Sequence, residues 1–141
     1  MNLFQLGDFT LASGAKSNWK IECDALTDED LLTLAVMVRD MVPPFGNVFG
    51  VPRGGKKLER YLLQYCRSSA DGTILIVDDV LTSGGSMERM RQELSGSWIG
   101  REFIGAVVFA RGPCPAWIKP MFQMGAITAQ DNPCNAANKG E

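Results

Sequence analysis

The chain of 141 residues contains no histidine. Ser-His-Asp and Cys-His nucleophile systems, HExxH metalloprotease helices and histidine-ligated zinc all need an imidazole, so none of them is available. Any chemistry must rest on carboxylates, amines, hydroxyls, thiols or backbone amides. Cysteine is sparse: Cys23, Cys66, Cys114 and Cys134 form no CxxC pair, which removes zinc ribbons and thioredoxin-like redox motifs. No apolar run approaches the roughly 20 residues that span a bilayer, and residues 1–9 lack the basic flank and apolar stretch of a secretory leader. Positive charge is not in excess either. With 14 Lys and Arg against 16 Asp and Glu, the net charge is -2, which disfavours a nucleic-acid binder. The expectation is one soluble, reduced, cytoplasmic domain without a membrane or nucleic-acid partner.

What is present is patterned. Thr27 followed by Asp30 makes a capping-box start, and Leu31, Leu34, Ala35, Val38 and Val42 recur at helical spacing until Pro43-Pro44 ends the run. Val48–Val51 reads as a short buried strand, closed by Pro52-Arg53-Gly54-Gly55. A second helix carries Leu58, Tyr61, Leu62 and Tyr65 on one face. Thr73–Val77 is a continuous β-favouring run without alternation, which predicts a central parallel strand buried on both faces. A third helix with Met87, Met90 and Leu94 follows, then a strand over Phe103–Ala110 and a last short strand over Ala126–Thr128. This alternation predicts an α/β fold with an open, mainly parallel sheet flanked by helices. Trp98, Trp117, Phe122 and the methionines are expected in core or interface. Residues 1–129 read as the domain and 130–141 as a flexible tail.

The chemistry is written in Ile74-Leu-Ile-Val-Asp-Asp-Val-Leu-Thr-Ser-Gly-Gly-Ser86. Adjacent Asp78 and Asp79 would enter opposite apolar layers in mid-sheet, so the pair belongs at the strand's carboxyl end, where open α/β sheets bind ligands. Thr82, Ser83, Gly84, Gly85 and Ser86 then lead into a helix. Their amides and hydroxyls, with the helix N-terminus, make an anion cradle. Carboxylates beside a phosphate cradle make sense when a polyol lies between them, as in a sugar phosphate. Asp-x-Asp of the haloacid-dehalogenase type is ruled out by Val80, and no later strand carries the phosphoacceptor aspartate of a receiver domain. Walker A and Gly-x-Gly-x-x-Gly motifs are absent.

Val77-Asp-Asp-Val-Leu-Thr-Ser-Gly-Gly-Ser86 resembles the phosphoribosyl pyrophosphate (PRPP) signature of type I phosphoribosyltransferases. The resemblance implies that Asp78 and Asp79 act as catalytic residues holding the ribose hydroxyls, and that Thr82, Ser83, Gly84, Gly85 and Ser86 bind the 5-phosphate. It puts Arg53, Gly54, Gly55 and Lys56 on the pyrophosphate. Phe9-Thr-Leu-Ala-Ser-Gly-Ala-Lys-Ser17 with Trp19-Lys-Ile-Glu22 is similar to the opening of orotate phosphoribosyltransferases, and Val107-Val-Phe-Ala-Arg-Gly112 to their base-contacting strand. Arg111, Ser13 and Gly14 would then face the base, and 1–26 would form a hood-like segment. The implied activity is transfer of the ribose 5-phosphate group of PRPP to an orotate-like nitrogenous base with release of pyrophosphate, dependent on Mg²⁺ held mainly by PRPP, in a homodimer. Three departures stand out. Ala12 replaces the usual lysine, Ala110 the usual acid, and Asp78 follows Gly55 by only 23 positions, where the family inserts a strand and a mobile lysine-rich loop. A catalytically inactive PRPP- or nucleotide-binding regulatory module of the same fold is the alternative.

Overall fold

The apolar run Ile74–Val77 is fully buried on both sides, and it forms the middle of a four-stranded parallel sheet in this computed structural model, which describes residues 1–11 and 14–124. An antiparallel hairpin, β1 (Phe4–Thr10) and β2 (Lys16–Ile21), precedes the sheet. Then follow α1 (Asp28–Met41), β3 (Asn47–Gly50), α2 (Gly54–Leu62), β4 (Thr73–Leu81), α3 (Gly85–Ser97), β5 (Glu102–Ala110) and β6 (Ile118–Gln123). The sheet order is β3-β4-β5-β6 with every neighbour parallel. The expected α/β architecture is present.

Side chains of β4 alternate between two apolar layers. Leu75 and Val77 join Leu34, Ala35 and Val38 of α1 and Leu58 and Leu62 of α2. Ile76 joins Met87 of α3 on the other face, with Val107 and Ile118. The helices therefore cover both faces, which is why the strand has no polar side. α1 starts as its sequence predicts. The Thr27 backbone N–H donates to Asp30 Oδ2 at 2.9 Å and the Asp30 N–H donates to Thr27 Oγ1 at 3.1 Å, a cap worth about 0.5–2 kcal/mol.

Three expectations are corrected. β4 runs on to Leu81 instead of stopping at Val77, because β5 keeps pairing with it (Asp78 with Val107, Leu81 with Ala110) after β3 has ended opposite Val77. The second helix ends at Leu62, and Leu63–Tyr65 continues as a 3-10 turn. A strand that the sequence reading did not identify, β6, closes the sheet. Pro120 within it is tolerated at an edge, where one row of amides has no strand to meet. The strand expected over 126–128 and the tail over 130–141 lie outside the described residues. Trp117 packs on the second core layer, Trp98 meets Phe49 edge-on, and Phe122 stacks on Phe109. Among the described residues no helix is long and apolar enough to cross a membrane, and Cys23, Cys66 and Cys114 are free thiols.

Candidate functional site

The parallel strands end together, and the turns after β3, β4 and β5 open into a cleft of about 700 Å³ roofed by the hairpin. Asp78 and Asp79 sit just past the last β3–β4 pair, so one side of β4 is uncovered there. Asp78 is 9% exposed, and its Oδ1 accepts from the Asp79 N–H at 2.8 Å. Asp79 Oδ1 in turn accepts from the Val80 N–H at 2.7 Å. Burial, together with the neighbouring Asp79, pushes the Asp78 carboxyl up to about 8. Cys23 borders the same cleft, and burial followed by the charge of Asp79 raises its thiol far above the ordinary range.

Glycine makes the close approach between loops possible. A Cβ on Gly54 would lie 1.8 Å from Asp79 Oδ2, and one on Gly50 would lie 2.1 Å from the Gly55 carbonyl oxygen. Gly54→Ala is expected to cost about 1–3 kcal/mol by forcing Asp79 aside. Gly96→Ala, where a Cβ meets nothing within 4 Å, should stabilise α3 by about 0.5–1 kcal/mol. Urea unfolding of the two variants checks the contrast.

After β4, Thr82, Ser83, Gly84, Gly85 and Ser86 all line the cleft. Gly84 adopts φ +83° as the N-cap of α3, a conformation that a residue with a Cβ resists. The first amides of α3 have no carbonyl within the helix to meet, and the helix dipole adds positive potential there. Arg89, one turn into α3, adds a guanidinium to the lining. Facing it across the acids is the turn after β3, where the Pro52–Arg53 peptide bond is cis and Arg53 and Gly54 line the cleft.

Arg111, at the end of β5, joins the sheet to the roof. Its Nη2 donates to Ser17 Oγ at 2.7 Å and to the Trp19 carbonyl at 3.2 Å, and its guanidinium lies 3.6 Å from the Trp19 ring centroid. Burial lowers its pKa from the usual value. Phe4 of β1 meets Phe109 edge-on at 6.1 Å and adds a second attachment of the hairpin.

The structure thus gathers Asp78, Asp79, Thr82 to Ser86, Arg53, Gly54 and Arg111 around one space. Three assigned residues lie outside its lining. Gly55 is buried against Gly50 and the Val77 carbonyl. Lys56 turns along its own helix to Glu59, at 3.2 Å. Gly14 sits at the exposed hairpin tip, donating to the Leu11 carbonyl at 2.8 Å. Ser13 lies outside the described residues. The sequence reading gave no role to Lys20, Glu22, Cys23, Asp24 and Lys57, which do line the cleft. The alternating charges Lys20, Glu22 and Asp24, which run from the end of β2 into the turn after it, were the available signal.

No family model and no curated protein matches the chain. Solved structures do. The orotate phosphoribosyltransferase of Aeropyrum pernix superposes with a TM-score of 0.66 at 21% identity, covering 86% of this chain and 88% of that one. The orotate phosphoribosyltransferase of Mycobacterium tuberculosis H37Rv in complex with Fe(III) dicitrate gives 0.67 at 15% identity over 86% and 89%. A phosphoribosyltransferase from Corynebacterium diphtheriae gives 0.63 at 15% over 77% and 84%. At these identities the likeness establishes the fold, which is that of the type I phosphoribosyltransferases.

Proposed function

We propose that the protein transfers the ribose 5-phosphate group of PRPP to an orotate-like nitrogenous base and releases pyrophosphate. The observation that carries this reading is the shared cleft. An acid pair, Asp78 buried and Asp79 half-buried, lines the same cleft as a helix-terminal amide cradle and an arginine-bearing turn. A phosphorylated pentose with an anionic group on C1 has the complementary order of charges. The 5-phosphate would take the amides and hydroxyls of Thr82 to Ser86, and the ribose diol would donate to Asp78 and Asp79. Arg53 and the Gly54 amide would hold the leaving pyrophosphate.

In this reaction the C1–N bond forms from the lone pair of a ring nitrogen while the C1–O electron pair departs with pyrophosphate. The ribosyl centre is cationic at the crossing point. The protein's contribution is to align both reactants and to hold negative groups near C1. The Arg111 fork, set by Ser17 and Trp19, suits a planar carboxylate on the base. Mg²⁺, a hard cation that takes oxygen ligands, would neutralise pyrophosphate charge when bound. The acid pair fits it as an oxygen-rich wall. Among the described residues no group of three or more His, Cys, Asp or Glu stands ready to hold a metal ion, so PRPP oxygens would supply most of its ligands.

One observation favours the alternative, a PRPP- or nucleotide-binding regulatory module. Between Gly55 and Asp78 the chain forms α2, two 3-10 turns and the start of β4, with no long loop that would close over the cleft. Incubation with PRPP, Mg²⁺ and a panel of bases, reading pyrophosphate release, distinguishes the two. Release that depends on an orotate-like base is the expected result. Saturable PRPP binding without product from any base would establish the regulatory reading instead.

A further inference from the structure

The unassigned charges at the cleft mouth are paired in an unusual way. Lys57 projects from α2 and Asp24 from the turn that follows the hairpin, and both line the cleft. They form an ion pair across 33 positions of sequence, each side chain about half exposed. The Lys57 hydrogen bond, followed by its charge and that of Arg53, lowers the Asp24 carboxyl below its ordinary value. One carboxylate thus sits against Lys57 and within the field of Arg53. Lys56, by contrast, pairs within its own helix and stands outside the cleft.

We infer that Lys57 is a polyphosphate-binding cation of the cleft, and that Asp24 occupies the ligand's place on it as an internal anion until the pyrophosphate arm displaces it. This deepens the phosphoribosyl reading and rests on it. An exposed pair of single charges is weakly held. A pyrophosphate group brings more charge and more acceptor oxygens to the same ammonium, so it wins the exchange. Lys57 stands on a helix whose apolar face (Leu58 and Leu62) is fixed in the core. It therefore supplies positive charge from a rigid element, where the segment between Gly55 and Asp78 forms no long closing loop. Asp24 lowers affinity for the arm and leaves the 5-phosphate cradle untouched.

The test is calorimetric titration of the full chain with inorganic pyrophosphate and, separately, with ribose 5-phosphate. Asp24→Asn should tighten pyrophosphate binding about three- to fivefold, and Lys57→Met should weaken it by a similar factor. Ribose 5-phosphate affinity should stay within about twofold in both, which also reports that the fold is intact. In the Lys57→Met background, Asp24→Asn should lose most of its gain. Unchanged pyrophosphate affinity in Asp24→Asn, or an equal gain with and without Lys57, would overturn the inference while leaving the phosphoribosyl reading standing. Failure of the wild-type chain to take up either ligand would overturn both.

Discussion

Replacing Asp78 and Asp79 together by asparagine is expected to weaken PRPP binding by about a hundredfold or more, in a protein that folds at least as well as the wild type. Above about pH 8, where the Asp78 carboxyl has lost its proton, each carboxylate accepts a ribose hydroxyl in the proposed complex, and charge-assisted bonds are worth about 1.5–3 kcal/mol each. The stability half of the prediction follows from Asp78. Its carboxyl titrates near 8 in the fold, because it is buried beside Asp79, whereas a free aspartate titrates near 3.8. Between those values the folded chain keeps a proton that the unfolded chain has lost. Stability from this group is therefore complete below about pH 4, declines as pH rises and is gone above about 8. Asparagine has no such proton to lose. The unfolding free energy of Asp78→Asn relative to wild type should accordingly grow from pH 5 to pH 8, by an amount on the order of a few kcal/mol. Parallel pH profiles for the two proteins would mean that Asp78 is ionised in the free fold. Such a trade of stability for binding is common where a site must hold charge out of water.

Arg111→Ala has the second large effect. It should lower kcat/KM for the base by about a hundred- to a thousandfold while PRPP affinity moves by no more than about threefold. The side chain that is lost also stacks on Trp19 and donates to Ser17 at 2.7 Å, so unfolding should be easier by about 1–3 kcal/mol. Ser17→Ala separates these contributions. It removes the anchoring hydroxyl and leaves the guanidinium, and should cost less than about tenfold in base use. Equal losses for PRPP and base in Arg111→Ala would move the base site elsewhere.

The sequence made some parts of this molecule legible because their determinants are local. Thr27 and Asp30 cap α1 through groups three residues apart. Ile74–Val77 announces a strand buried on both faces without knowledge of its neighbours. The order acid pair, small residues, helix start fixes the cleft wall for the same reason. Other parts depend on partners far along the chain. β4 is extended by its pairing with β5, and nothing in Asp78–Leu81 itself requires a strand. β6 contains Pro120 and exists because Gly105 to Ala110 offers it an edge. Lys56 and Lys57 are equivalent in the sequence, and only the helical phase set by Leu58 and Leu62 turns the second toward the cleft. The Asp24–Lys57 pair joins two elements that no local pattern relates.

The central claim is that one cleft grips a phosphate with backbone amides and a pentose diol with two acids. A crystal structure of the protein with ribose 5-phosphate tests it most directly. The account predicts the phosphate within hydrogen-bond distance of the amides of Ser83 to Ser86, and the two ring hydroxyls on Asp78 and Asp79. A ligand seated away from those residues, or a cleft that stays without it at saturating concentration, would contradict the account.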